Sequence, residues 1–171
     1  YSSIFIAQVP DYYNDVNLSL TGVNLKVALA TKITNTHTNN LSYTPDIWEA
    51  SKITDINPDN SNEVLLIYGY EDGSDTDITN NRVAGINDNG SGSGLWNREH
   101  VYSNSLATPD LDDSSENGPP YADAHNLRPC NGQRNSSRGN RKFSDSTGTE
   151  SGEPSENYTN SNGNNQNGWN P

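Results

Sequence analysis

Apolar residues fall into a few short blocks separated by long polar stretches, and the spacing inside each block predicts its element. In residues 20–35, LTGVNLKVALATKITN, Val23, Val27 and Ala30 recur at helical spacing, with Leu25, Leu29 and Ile33 less regular. Thr21 stands where an N-cap belongs. Residues 42–54, SYTPDIWEASKIT, repeat the logic, with Thr44 as cap, Pro45 at the first helical position and Ile47, Trp48, Ala50 and Ile53 for burial. The unbroken apolar run EVLLIYGY at 63–70 predicts a buried strand, and the polar block that follows, to Gly94, predicts a loop. LWNREHVY predicts a second short strand ending near His100; a polar loop closed by Pro119 and Pro120 follows it, and Pro129 is positioned to open a short helix. From Ser144 onward only Trp169 offers much to bury, so the last 28 residues read as loop or disorder.

Composition narrows the picture. Apolar residues make up 29% of the 171 residues and asparagine occurs 27 times, so a single domain must draw its core from the few blocks above. No run approaches the ~18 apolar residues of a membrane span. The chain lacks Met altogether, and SSIFIAQ near the N-terminus is expected to be a secretory-signal remnant. A single cysteine, Cys130, rules out an intrachain disulfide and reads as a small buried residue.

The net charge of −12 argues against a broad nucleic-acid-binding face, but it is unevenly spread. Residues 98–143 are neutral overall, and 124–143 hold five basic residues and no acid. That local charge coincides with the chemistry-bearing blocks. WNREHVYSNS carries a His beside a Glu, and DAHNLRPCNGQRNSSRGNRKF carries a second His, several amides and the basic cluster. A base with a near-neutral pKa, a carboxylate and cationic groups are what hydrolysis of a phosphodiester needs. The acidic stretches 71–77 and 110–118 invite a loose Ca²⁺ reading, but neither has EF-hand spacing.

Those two blocks, with LSYTPDIWEA and VLLIYGY before them, resemble the endonuclease I family of secreted and periplasmic nucleases, in order from about residue 12 to 143. The resemblance implies an α+β fold with a His-Me finger (ββα-metal) core. It implies domain limits of 1–11 for an N-terminal segment, 12–143 for the nuclease domain and 144–171 for a polar tail at the start of a further element. His100 is then the general base, and Glu99 and Asn135 are ligands of one divalent cation, Mg²⁺ first, with Ca²⁺ or Mn²⁺ as alternatives. Arg128 and Arg138 are assigned to transition-state stabilisation. Arg98, Arg134, Arg141 and Lys142 are assigned to nucleic-acid contacts, and His125 and Asn126 to structural roles nearby. DNA and RNA are the implied partners, without a membrane, and secretion or the periplasm is the implied location.

Two departures stand out. No Arg or Lys lies between His100 and Arg128, where relatives carry a phosphate-binding Arg, and the chain stops within a W-x-P element that relatives continue into a helix, so a longer native protein is expected. A reading from another class is an acidic, Asn-rich extracellular structural or adhesive subunit that reuses the fold and binds Ca²⁺ without cleaving anything.

Overall fold

In a computed structural model of the protein, the described residues are 10–71, 73–108, 110–111, 118–144, 154–159 and 165–169, with the side chains of 154–159 and 165–167 left out. The expected signal remnant lies almost wholly outside them, as do residues 112–117 of the second acidic stretch. The chain forms two compact units, Tyr1–Asn40 and Leu41–Pro171.

The first unit holds a short 3₁₀ turn, Asp11–Tyr13, and helix α1, Gly22–Thr36. Lys32 ties them together by an ion pair to Asp15 at 2.8 Å, and the Tyr12 hydroxyl bonds Thr36 Oγ1. Thr21 is the N-cap residue, but its side chain makes no cap bond. Contrary to the expected burial, no residue of α1 is buried, and Val23 and Val27 are exposed. One helix and one turn supply too few surfaces to enclose an apolar stripe.

The second unit opens with α2, Asp46–Thr54. Its start differs from the Thr44 cap expected, because Pro45 occupies the capping position and cannot offer a side-chain acceptor. Ser42 and Asp46 take over that role. The Asp46 carboxylate accepts from the Ser42 amide and hydroxyl at 2.8 Å each, and the Ser42 hydroxyl accepts from the Asp46 amide at 3.3 Å. Next comes an antiparallel sheet in the order β1 (Ile56–Asn57), β2 (Asn60–Leu65), β3 (Val83–Gly85). The strand expected at 63–70 therefore ends early. A side chain at Gly69 would sit 2.0 Å from the Asn81 carbonyl oxygen, so the chain turns where another backbone passes. Strand β3 lies inside the stretch expected to be loop.

Strand β4 (Trp96–His100) pairs antiparallel with β5 (Leu127–Asn131), and α3 (Gly132–Arg138) follows β5 directly. Pro129 lies in β5 and does not open the helix; Asn131 does, its side-chain oxygen accepting from the amides of Gln133 and Arg134 at 2.9 and 3.2 Å. The unit is thus a mixed α+β fold containing a β-hairpin followed by a helix. Strands β6 (Pro154–Thr159) and β7 (Asn165–Trp169) form an antiparallel pair within the tail that composition marked as structureless. Backbone bonds from Trp169 to Lys142 and Ser144 fasten β7, and the Trp169 ring is buried against Tyr68 and Cys130.

Burial is divided among three small clusters: Ile47, Ala122 and Leu127; Val64, Leu66 and Trp96; and Tyr68, Cys130 and Trp169. The β4–β5 hairpin contributes to each, so both strands are held from several sides. Cys130 is fully buried, and burial pushes its thiol pKa far up, which leaves it inert.

Candidate active site

A cleft of about 210 Å³ opens along β4 and the C-terminal half of α3, and Glu99, His100, Ser103, Asn104, Asn135 and Asn140 line it. Its floor is fixed by the hairpin register, in which Glu99 lies opposite Arg128 and His100 opposite Leu127.

The His100 ring is held by one bond and two aromatic contacts. Its Nε2 lies 2.9 Å from the Tyr121 carbonyl oxygen. A carbonyl can only accept, so Nε2 carries the hydrogen and Nδ1 of the neutral ring keeps its lone pair. Tyr43 stacks nearly parallel to the imidazole, 10° off at 5.8 Å, and Tyr121 packs on it at 4.8 Å. Burial pushes the His100 pKa down, the charges of Arg98 and Arg138 push the same way, and the Tyr121 bond opposes them. At neutral pH the ring is therefore an unprotonated base.

Glu99 is 1% exposed. Its Oε1 accepts from the Tyr68 hydroxyl at 2.8 Å and from Arg138 Nη1; Oε2 takes part in neither bond. Burial raises its pKa above the ordinary carboxylate value, and the Arg138 charge and the Tyr68 bond work against that rise. Asn135, one turn into α3, donates Nδ2 to the Arg98 carbonyl at 3.0 Å, which orients its Oδ1 away from that bond. The structure thus brings Glu99, His100 and Asn135 to one cleft from a strand and the helix that follows its partner.

The basic residues sit differently from a ring around a substrate. Arg138 is 2% exposed, and its guanidinium donates to Glu99 and to the carbonyls of His100, Val101 and Arg141 at 2.6, 2.8 and 3.2 Å. These bonds clamp strand β4. Arg128 pairs with the buried Asp55. Arg98 lies between the rings of Tyr43 and Trp48, at 3.7 and 3.9 Å, and donates to the Tyr43 carbonyl and Thr44 Oγ1. Arg134 donates to the Thr79 carbonyl at 2.8 Å, and Arg141 to those of Ser137 and Arg138. Lys142 is exposed.

His125 is almost fully exposed and bonds Asp123, outside the cleft. Asn126 clasps Tyr102, accepting from its amide at 2.8 Å and donating to its carbonyl at 3.1 Å, and so prolongs the hairpin by one side-chain rung. In the first acidic stretch, Asp75 and Asp77 each accept a backbone N–H two residues on, as turn-forming aspartates do. Among the described residues, no group of three or more His, Cys, Asp or Glu converges as a metal cage.

Six lining residues were not singled out by the sequence: Tyr43, Asn97, Ser103, Asn104, Gly139 and Asn140. All of them lie inside the blocks that carry the resemblance, and only that membership could have signalled them.

Comparison with known proteins identifies the family. A family model described as Endonuclease I matches residues 21–170. An extracellular ribonuclease of Bacillus subtilis (strain 168) is 38% identical over 152 residues, covering 89% of this chain and 46% of the relative. An extracellular ribonuclease of Bacillus amyloliquefaciens is 36% identical over 144 residues, covering 84% and 43%. The chain therefore spans less than half the length of the curated relatives it matches. No solved structure matches it.

Proposed function

The chain belongs to the endonuclease I family, and from that premise we propose that it is an extracellular, divalent-cation-dependent nuclease that hydrolyses RNA and DNA without reading their sequence. The observation that carries the reading is the bond from His100 Nε2 to the Tyr121 carbonyl, which leaves Nδ1 as a base in the cleft that Glu99 and Asn135 also line. The extracellular placement follows the naming of the relatives, and no helix among the described residues is long and apolar enough to cross a membrane.

The donor set suits a hard cation. Glu99 offers a carboxylate and Asn135 an amide oxygen, and one carboxylate with one neutral oxygen matches an ion such as Mg²⁺ that keeps several of its waters. Glu99 and Asn135 would hold the ion, which would supply Lewis-acid polarisation of the phosphate and stabilise charge on the leaving oxygen. His100 Nδ1 takes the proton of a water as that water's oxygen bonds phosphorus; the bond to the sugar 3′ oxygen breaks and that oxygen takes a proton from solvent water, leaving 5′-phosphate and 3′-hydroxyl ends. Arg138 keeps Glu99 in place, and its charge opposes the burial-driven rise of the Glu99 pKa. Tyr43 and Tyr121 fix the plane of the base.

In this reading the nucleophile is water, so the 2′-hydroxyl is not needed and DNA and RNA are both substrates. Contacts to phosphate carry no base information, which accounts for cleavage without sequence preference. The test is to incubate matched RNA and DNA strands with the protein in Mg²⁺ and in chelator, then analyse the ends. The expected result is cleavage of both, only with cation, and 5′-phosphate ends. RNA-only cleavage through 2′,3′-cyclic phosphates would overturn the mechanism, and no cleavage under any cation would favour a structural or adhesive subunit.

A further inference from the structure

We propose that the Ser103 hydroxyl donates a hydrogen bond to a non-bridging oxygen of the phosphodiester in the His100 cleft. This rests on the nuclease reading of that cleft and adds to it a residue to which the family resemblance assigns no role.

Ser103 stands at the N-cap of the 3₁₀ turn Asn104–Leu106, where a serine hydroxyl ordinarily accepts from a nearby backbone amide. Here it makes no cap bond. The residue is 2% exposed, and its Oγ is buried without a hydrogen-bond partner among the described residues. A buried hydroxyl in that state costs free energy unless something else satisfies it. Ser103 lines the same cleft as Glu99, His100 and Asn135, so the missing partner belongs to what binds there.

The chemistry of that partner follows from the surroundings. Arg98, Arg138 and Arg141 direct their guanidinium groups to carbonyl oxygens or to Glu99. On the cleft, the Ser103 hydroxyl remains as a neutral donor. An anionic oxygen is the acceptor that gains most from such a donor, because charge-assisted bonds are about twice as strong as neutral ones. The phosphate is the anion that the reaction brings.

The experiment compares wild type with Ser103→Ala and Ser103→Cys in the full chain, on a substrate with a single phosphorothioate of known stereochemistry. Ser103→Ala should lower kcat/KM by about ten- to a hundredfold, the factor a hydrogen bond to a charged group is worth. The slowing that wild type shows with one phosphorothioate diastereomer should shrink in both variants, since sulfur is the poorer acceptor and the donor has been removed or weakened. Thermal unfolding without cation should occur at the wild-type temperature or above, because an orphaned hydroxyl has been removed. A merely structural serine would lower that temperature and leave the stereochemical preference intact, and this pair of results would overturn the proposal. Should Ser103→Ala fail to fold, the diastereomer preference of Ser103→Cys decides alone. If wild type cleaves and Ser103→Ala cleaves within threefold of it, only this inference falls; if wild type cleaves nothing, the nuclease reading falls and takes it along.

Discussion

Replacing Arg138 by methionine should reveal whether this arginine serves the fold or the substrate. The change keeps much of the aliphatic stem but removes every donor. Glu99, 1% exposed, would then hold a buried charge with the Tyr68 hydroxyl as its one remaining partner, and the carbonyls of His100, Val101 and Arg141 would each lose a bond. Breaking a buried pair from one side costs about 3–5 kcal/mol, a large fraction of the ~5–15 kcal/mol that holds a domain folded. All three tryptophans, Trp48, Trp96 and Trp169, lie in the Leu41–Pro171 unit. Urea unfolding followed by tryptophan fluorescence, without divalent cation, therefore reports on the unit that contains the pair. Glu99→Gln placed on top of Arg138→Met should recover part of the loss, because it removes the stranded charge. Acidification should do the same, since a Glu99 deprived of Arg138 has its pKa raised still further by burial, and protonation then relieves the cost. A loss under about 1 kcal/mol, combined with a selective loss of cleavage, would refute the clamp and return Arg138 to the phosphate, where its place in the motif suggested it belongs.

Two further outcomes follow from the charges around the cleft. Burial holds the His100 pKa below the ordinary 6.5, and the neutral form is the active one, so activity should persist as pH falls past 6.5 and decline only at lower pH; the profile of kcat/KM at saturating cation, where Glu99 is held as carboxylate, checks this, and an acid limb above 6.5 would contradict it. Because Arg98, Arg128, Arg134, Arg138 and Arg141 all spend bonds inside the protein, binding to catalytically dead protein should weaken with salt at a slope equivalent to roughly two to four phosphate contacts, well short of the six to ten of strongly basic binders, and neutralising the exposed Lys142 should weaken all sequences alike; a steep slope or a sequence-dependent loss would count against this picture.

Residue identity conveyed the site better than the elements that build it. Glu99, His100 and Asn135 were legible because a carboxylate, an imidazole and an amide stood in a recognisable order, and the fold does bring them to one cleft. Strand β5 was not legible, since LRPCN contains a proline and no alternation of apolar and polar positions, and its place is set by pairing with β4 and by burial of Leu127, Pro129 and Cys130. Strands β6 and β7 were missed for a related reason: an Asn-rich pair held by backbone bonds and one tryptophan leaves no periodic hydrophobic trace. The arginines were legible only as charge. Charge shows in a sequence, but whether a guanidinium meets a phosphate or a carbonyl depends on burial, and Arg138 at 2% exposure could not be told from the exposed Lys142 beforehand. Ser103 was silent because an orphaned hydroxyl is a fact of packing.

The central claim is that His100 moves the proton while Glu99 and Asn135 hold the cation, and it is tested most directly by His100→Ala measured for cleavage and for cation binding in the same preparation. The account predicts a loss of about 10²- to 10⁴-fold in cleavage, the range expected for removing a general base, with Mg²⁺ or Mn²⁺ affinity and nucleic-acid binding close to wild type. Cleavage above a tenth of wild type, or cation binding that disappears with the imidazole, would contradict it.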